Sequence, residues 1–282
     1  TAYQQCSGPQ AVLPGTKRRY QSMPYKARSS ILAAAALSAL ALSACGGGSD
    51  SASDSGMNLV SEGKLTVCSD IPYPPFEYEE NGEYVGFDMD LVKEIASGMG
   101  LEASIQDVGF DGLQGGTVLA AGQCDLGASA MTITEERQKN LTFSDPYYDS
   151  LQSILVPEGS DITGIEDLAG KKVGVQQGTT GEAYARDNAA DAEIISYPSD
   201  AELFPALQAG NVDAVLQDLP VNLGHTQEGA FTIAAKFETD ESYGFAMAKN
   251  ASEELVSGVN EQLAALRDNG KYQEIYDKYF TE

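Results

Sequence analysis

Short apolar strands alternate with helical patterns along most of this 282-residue chain, and this alternation restricts the fold more than any other feature. Lys64–Ser69 is typical of a buried strand, and residues 86–98 carry apolar side chains at helical spacing. The pattern continues with a strand at 102–108, a helix around 112–121 and a strand at 124–128. Strands that alternate with helices form βαβ units, so we predict an α/β fold with mainly parallel sheets.

The same alternation restarts after residue 164 and predicts a second lobe. We expect a short helix at 165–170, strands at 172–175, 194–197 and 212–216, and helices at 178–188 and 201–209. This second set carries its own apolar residues and can therefore form a core of its own. Two amphipathic helical patterns, at 253–269 and 272–279, end the chain.

The N-terminal region has the pattern of an export signal. Lys26 and Arg28 precede an apolar run at 31–42, which is too short to span a bilayer but suits the core of a signal peptide. The run ends in Leu42-Ser43-Ala44-Cys45, which resembles a bacterial lipobox. This resemblance implies cleavage before the cysteine and lipidation of the Cys45 thiol.

Two segments of different character flank the expected cleavage point. Residues 1–22 fit no part of a signal peptide, so we expect residues 1–44 to be an extension plus a signal peptide that begins at Met23. Residues 45–56 are rich in glycine and serine, and we expect them to form a flexible, lipid-anchored linker.

Acidic residues greatly outnumber basic ones. The chain has 42 Asp and Glu against 17 Lys and Arg, which gives a formal net charge of −25. This balance argues against nucleic acid or an anionic membrane surface as a partner. We therefore expect membrane contact through the lipid anchor only. The acidity favours solubility outside the cell, and it would also attract cationic ligands.

An arginine lies at the start of a short predicted helix. Thr134 is placed to cap this helix, and Glu135 and Glu136 lie in its first turn. Arg137 then occupies the third helical position, where its guanidinium could receive a planar carboxylate together with backbone N–H groups. A surface ion pair between Arg137 and one of the two glutamates is the alternative.

Five motifs follow one another in a recognisable order. They are Tyr73-Pro74-Pro75-Phe76-Glu77, Gly86-Phe87-Asp88-Met89-Asp90-Leu91, Phe110-Asp111-Gly112-Leu113, Thr132-Ile133-Thr134-Glu135-Glu136-Arg137 and Phe143-Ser144-Asp145-Pro146-Tyr147. Together they resemble the amino-acid-binding proteins of bacterial ABC importers, solute-binding protein family 3. The resemblance extends from about residue 64 to the C-terminus.

The resemblance implies a two-lobed periplasmic-binding-protein fold of type II. Lobe 1 would comprise residues 57–150 and 243–282, and lobe 2 residues 151–242, with a hinge at crossings near Ser150 and Ser242. The implied protein is a monomeric receptor without a cofactor. It would lie at the extracellular face of the cell membrane, or in the periplasm, and deliver an amino acid to the permease subunits of an ABC transporter.

The resemblance also implies a set of ligand-binding residues at strand ends, where ligands bind in doubly wound sheets. Arg137 would hold the α-carboxylate from lobe 1, and a backbone N–H of Thr180 would reach it from lobe 2. Asp218 would hold the α-ammonium; its other expected role is to cap a helix, and the two roles are compatible. The full expected set is Asp70, Tyr73, Phe110, Ser129, Ala130, Thr132, Arg137, Gln177, Thr179, Thr180 and Asp218.

Three of these residues match the side-chain pocket of the family. Tyr73 and Phe110 suit an aliphatic stem or a cation, and Asp70 suits a cationic or amide tip; simple core packing is the alternative for the two aromatics. Glu77 and Gln176 are weaker candidates. Asp70 occurs in both the basic-amino-acid and the glutamine branches of the family and does not decide between them, but the turn Gly178-Thr179-Thr180-Gly181-Glu182 resembles the basic branch more closely. The resemblance therefore implies arginine, lysine, ornithine or histidine as the free amino acid, with glutamine next.

Two cysteines are candidates for a disulfide bridge. Cys68 lies in the first strand and Cys124 opens the third. These strands are neighbours in a sheet ordered 2-1-3, and an exported protein permits disulfides, so we expect a Cys68–Cys124 bridge. Two buried thiols are the alternative.

An exported dehydratase on the same fold is the main rival interpretation, because it would need only pocket acids such as Glu77 or Asp70. A sensor that presents its ligand to a receptor is another. The single histidine, His225, follows the last binding loop, and we expect it to be structural. The sequence has no nucleophile elbow, P-loop or metal-ligand cluster, so we expect no catalytic residue, metal or cofactor.

Overall fold

The computed structural model of the protein describes residues 56–227 and 229–280. The predicted signal peptide, the start at Met23, the lipidation of Cys45 and the linker up to residue 55 lie outside the described residues. Within the described residues, no helix is both long and apolar enough to cross a membrane.

The first part of the chain contributes most of lobe 1. In chain order its elements are β1 (Lys64–Ser69), β2 (Tyr78–Glu80), β3 (Glu83–Val85), α1 (Phe87–Gly98), β4 (Glu102–Asp107), α2 (Phe110–Gln114), α3 (Thr117–Ala120), β5 (Leu126–Gly127), α4 (Glu135–Gln138) and β6 (Leu141–Phe143). The helix predicted around 112–121 is in fact two short helices, α2 and α3. Gly116 adopts a left-handed φ of 78°, which ends the first helix and starts the second.

The rest of the chain builds lobe 2 and returns to the first sheet. Its elements are β7 (Tyr148–Pro157), a 3₁₀ turn (Ile165–Leu168), β8 (Lys172–Gln176), α5 (Thr180–Asn188), β9 (Glu193–Tyr197), α6 (Asp200–Gln208), β10 (Ala214–Asp218), α7 (Leu219–Thr226), β11 (Phe231–Tyr243), β12 (Ala246–Ala248), α8 (Glu253–Asp268) and α9 (Lys271–Phe280).

Each lobe of the described chain is organised around a five-stranded sheet. The lobe 1 sheet has the order β4-β1-β5-β12-β6 and the lobe 2 sheet the order β11-β7-β10-β8-β9. Strands joined by helical crossovers are parallel, as such connections require, whereas β7, β11 and β12 pair antiparallel. The predicted α/β fold with two lobes is confirmed.

The final helices pack on lobe 1. Leu255 and Val259 of α8 and Ile275 of α9 share one buried core with Leu91 and Ile95 of α1. The apolar spacing of all three helices therefore serves a single core.

Two antiparallel strands connect the lobes. β7 begins at Tyr148 and β11 ends at Tyr243, where these two residues pair and their rings stack at 5.4 Å between centroids. Phe76 packs its ring edge against both tyrosines. The predicted crossings near Ser150 and Ser242 thus fall inside continuous, paired strands.

The predicted Cys68–Cys124 disulfide is confirmed. Its two Cα atoms are 5.9 Å apart, and the bridge joins β1 to the segment that enters β5. The sheet order around these strands, β4-β1-β5, is the expected 2-1-3 order.

Candidate functional site

A small cavity lies where the two lobes meet. It is lined by side chains at the ends of strands and the starts of helices: Asp70, Tyr73, Phe110, Ser129, Ala130, Thr132, Arg137, Gln176, Thr179, Thr180 and Asp218. Ten of these residues belong to the set expected from the sequence, so that set converges on one site.

Gln177 is the expected residue that does not line the cavity. It is exposed, whereas its neighbour Gln176 is buried at the end of β8 and takes the place in the cavity wall. Side chains alternate between the two faces of a strand, so an error of one residue changes the face. Gln176, which the sequence offered as a weaker candidate, is thus the amide that lines the cavity.

Arg137 is a buried cation held by main-chain oxygens. The Thr134 hydroxyl caps α4 by accepting a hydrogen bond from the Arg137 N–H at 3.2 Å, as the sequence predicts. The guanidinium donates to the Thr132 carbonyl at 2.7 Å and, across the cleft, to the Gly178 carbonyl at 3.0 Å. It also lies 5.3 Å from the centre of the Phe110 ring.

These contacts contradict the alternative of a surface ion pair. Glu136 pairs with Lys139 instead, and Arg137 is only 6% exposed. Burial lowers the pKa of Arg137 to about 10, so the side chain is still a cation at neutral pH.

The turn that supplies the Gly178 carbonyl is itself braced. The Thr179 hydroxyl accepts a hydrogen bond from the Glu182 N–H at 3.0 Å, and the Glu182 carboxylate accepts one from the Gly178 N–H at 2.7 Å. Gly178 has a φ of 76°, a conformation that favours glycine. The turn therefore presents a fixed edge of lobe 2 to Arg137.

Asp218 is a buried carboxyl group at the end of β10. Its side chain makes no capping hydrogen bond to α7 and instead accepts from the Gln152 amide and the Tyr243 hydroxyl. Burial, and then the nearby charge of Glu241, raise its pKa to about 7. The side chain faces the cavity, and the expected capping role is absent from its contacts.

Asp70 is a second buried carboxyl group, at the end of β1. The Gln176 amide donates to it at 2.6 Å, and its backbone N–H donates to the Ser129 hydroxyl at 3.1 Å. Burial raises its pKa to about 7, although the Gln176 hydrogen bond acts in the opposite direction. An uncompensated carboxylate in this position would be stabilised by a cation.

Two further carboxyl groups lie beneath the cavity wall. Glu77 accepts from the Ser129 hydroxyl at 2.8 Å, and Asp88 accepts from the Ala130 N–H at 2.9 Å and the Tyr147 hydroxyl at 2.6 Å. Both are fully buried, and burial raises both pKa values. They hold the Ser129–Ala130 segment, in which Ala130 adopts a left-handed φ of 44°.

The sequence motifs did not reveal that Asp88 holds the Ser129–Ala130 segment in place. Asp88 is the first aspartate of the Gly86–Leu91 motif and lies in the first turn of α1, where it could be taken for a residue that favours the helix dipole. A charged residue on the apolar face of a helix was the signal that could have revealed it.

His225 lies outside the cavity. Its ring stacks on Phe204 at 3.6 Å between centroids, and its Nε2 lies 3.2 Å from a carboxylate oxygen of Asp200. These contacts give it a structural place in lobe 2. The described part of the chain also contains no cluster of His, Cys, Asp and Glu side chains that could hold a metal ion.

The cavity as a whole suits a zwitterion that carries an additional positive charge. Of the described residues that line it, Arg137 carries a positive charge, and Asp70 and Asp218 can carry negative charges. One cationic and two anionic groups complement one carboxylate and two cations on a ligand.

Comparison with known proteins places this geometry in context. The model of a family described as bacterial extracellular solute-binding proteins, family 3, matches residues 65–282. This span contains every residue that lines the cavity.

Among curated relatives, the ABC transporter glutamine-binding protein GlnH of Bacillus subtilis is 36% identical over 205 residues, which cover 72% of this chain and 75% of GlnH. The arginine-binding extracellular protein ArtP of the same organism is 33% identical over 258 residues, which cover 89% of this chain and 97% of ArtP.

Among solved structures, an ancestral amino acid-binding protein described as a precursor of cyclohexadienyl dehydratase is 36% identical to this chain. The match has a TM-score of 0.70 and covers 78% of this chain and 96% of that one.

Proposed function

This chain belongs to the bacterial extracellular solute-binding proteins, family 3, and from this membership we propose that it binds a basic L-amino acid between its lobes and delivers it to an ABC transporter. Arginine, lysine, ornithine and histidine are the proposed ligands. The similarity to ArtP, which is named an arginine-binding protein, supports this class.

One observation carries the proposal: the cavity has one more buried carboxyl group than a neutral zwitterion needs. Arg137 complements an α-carboxylate, and the backbone N–H of Thr180 adds a donor. Asp218 complements an α-ammonium, together with the Ala130 carbonyl and the Thr132 hydroxyl. Asp70 is then left for a cationic side chain, with the Tyr73 and Phe110 rings beside its stem.

The same contacts support closure of the lobes on the ligand. Arg137 of lobe 1 bonds to Gly178 of lobe 2, and Gln176 of lobe 2 bonds to Asp70 of lobe 1. A ligand that engages groups of both lobes favours the closed form, because only that form offers all its contacts. We assign lobe 1 to residues 57–150 and 243–282, lobe 2 to residues 151–242, and the hinge to the paired strands between them.

Glutamine is the second candidate ligand. The Gln176 amide already donates to Asp70, so an amide on a ligand could use the same carboxylate. The similarity to GlnH supports this alternative. It would leave the buried charge of Asp70 uncompensated, and for that reason a basic amino acid ranks first.

The proposed place of action is the extracellular face of the cell membrane. The apolar run at 31–42 and the lipobox-like Leu42-Ser43-Ala44-Cys45 support export and a lipid anchor on Cys45. The permease subunits of an ABC transporter are the proposed partners of a monomeric receptor.

Titration calorimetry of the purified protein tests the proposal, after unfolding and refolding to remove carried-over ligand. The panel contains the common amino acids with ornithine and citrulline. Saturable binding of a basic amino acid without its conversion would support the proposal. Binding of glutamine alone would support the second candidate. If no amino acid binds, the receptor proposal fails, and cyclic carboxylic acids are next tested for dehydration.

A further inference from the structure

Glu241 is a buried carboxylate next to Ser242, where the chain crosses between the lobes for the second time. None of the five sequence motifs includes it. It lies on β11, two residues before Tyr243, and is 9% exposed. Opposite β7, the pairing shifts between Phe237 and Glu241, so that β11 contains two extra residues at this point. Asp240, within this bulge, has a left-handed φ of 51°. A bulge that re-aims a side chain is typical of functional positions in sheets.

One oxygen of this carboxylate bonds to both lobes. Its Oε2 accepts from the Thr132 hydroxyl of lobe 1 at 3.0 Å and from the Thr180 hydroxyl of lobe 2 at 2.9 Å. The two hydroxyl oxygens are themselves 3.3 Å apart. Gln152 donates to the same oxygen at 3.1 Å and also to Asp218. Separation of the lobes would break at least one of the two hydroxyl contacts.

We propose that Glu241 is a positioning residue that latches the two lobes in the closed form by holding the Thr132 and Thr180 hydroxyls on one oxygen. The inference rests on the proposed function, because closure matters only if a ligand binds in the cleft. Hydrogen bonds to an ionised acceptor are among the stronger ones in proteins. The latch therefore favours the closed form independently of the ligand side chain.

This role predicts a particular pattern of affinities. A group that sets the population of the binding-competent form changes every affinity by the same factor. Asp70, in contrast, faces the proposed ligand side chain and would change one affinity relative to another. A uniform loss thus distinguishes the latch from a residue that selects the ligand.

The test uses E241A and the matched control E238A, which removes an exposed glutamate from the same strand. Calorimetry with arginine and glutamine measures affinity, and small-angle scattering with and without ligand measures closure. We expect E241A to weaken both ligands by the same factor, roughly tenfold, and to enlarge the ligand-free protein. E238A should behave as the wild type.

T180V and T180S keep the inference testable if E241A does not fold. T180V removes one arm of the latch and keeps the backbone N–H, whereas T180S restores the hydroxyl and should recover most of the affinity. In the E241A background, T180V should have little further effect. Additive effects, a loss that differs between arginine and glutamine, or equal behaviour of E241A and E238A would each overturn the latch. A wild type that binds no amino acid would instead refute the proposed function.

Discussion

The side-chain amide of Gln176 in lobe 2 donates a hydrogen bond to the Asp70 carboxylate of lobe 1, with 2.6 Å between nitrogen and oxygen. This bond crosses the cleft and offsets only part of the cost of burying Asp70, whose pKa is raised to about 7. A buried carboxyl group with a raised pKa is stabilised in its ionised form by a cationic partner. This raised pKa is consistent with the proposed basic ligand.

Replacement of Asp70 should change selectivity. We expect D70N to weaken arginine binding by roughly 100-fold, because a buried charge pair is lost, and glutamine binding by less than about threefold. Calorimetry with both ligands measures the two factors. D191N, at an exposed position, is the control. An equal loss for both ligands would show that Asp70 does not face the ligand side chain.

Replacement of Arg137 should abolish binding of every amino acid. R137A removes the proposed partner of the α-carboxylate, and we expect a loss of more than about 100-fold whatever the ligand side chain. K139A removes an exposed cation two residues away and should leave affinity unchanged. Circular dichroism confirms that each variant is folded. If R137A keeps its affinity, the carboxylate assignment is wrong.

Binding of a basic amino acid should depend on pH. The pKa values of Asp70 and Asp218 are raised to about 7, and a cationic ligand binds their ionised forms. Binding near pH 7 should therefore release protons, and affinity should fall roughly tenfold or more from about pH 8 to about pH 6. Calorimetry in buffers of different ionisation enthalpy counts the protons. An affinity that is constant over this range would contradict the assignment.

The stability of the protein without added ligand should also depend on pH. The buried carboxyl groups should make it fall as the pH rises. The pKa values of Asp70, Asp88 and Asp218 rise from 3.8 to about 7 on folding. Their contribution is therefore fully present below about pH 4 and is lost as the pH rises through about 7. Urea unfolding should give a larger free energy of unfolding at about pH 5 than at about pH 8.

A variant separates this effect from the overall acidity of the chain. D88N keeps an acceptor for the Ala130 N–H and the Tyr147 hydroxyl but does not titrate. Its free energy of unfolding should change less with pH than that of the wild type. A stability that rises between these pH values would contradict the raised pKa values.

Loss of the disulfide should lower stability substantially. Cys68 and Cys124 are 56 residues apart in sequence, and closing a loop of this length in the unfolded chain corresponds to about 4 kcal/mol. Urea unfolding of the C68A/C124A double variant measures the difference. Reductant should affect the wild type and not the variant. Equal free energies of unfolding for the two proteins would contradict the prediction.

Local sequence patterns were enough to predict most of the helices and strands and much of the candidate site. The periodicity of residues 86–98 predicts α1, and the buried run at Lys64–Ser69 predicts β1, because each pattern spans a single element. Thr134 and Arg137 are likewise close in sequence, so the cap and the position of the arginine on α4 follow from local rules. The split of residues 112–121 was missed, since it depends on the left-handed backbone of Gly116.

Contacts between distant segments required the tertiary structure. Glu241 is 109 residues from Thr132 and 61 from Thr180, and no periodicity links residues so far apart. Gln176 faces the cavity and Gln177 does not because β8 extends one residue further than its pattern indicated. By itself, the sequence determined the elements, the order of the motifs and the charges available to a ligand. The packing of two lobes decided which of those charges are buried together, because desolvation and hydrogen bonding depend on neighbours that only the folded chain supplies.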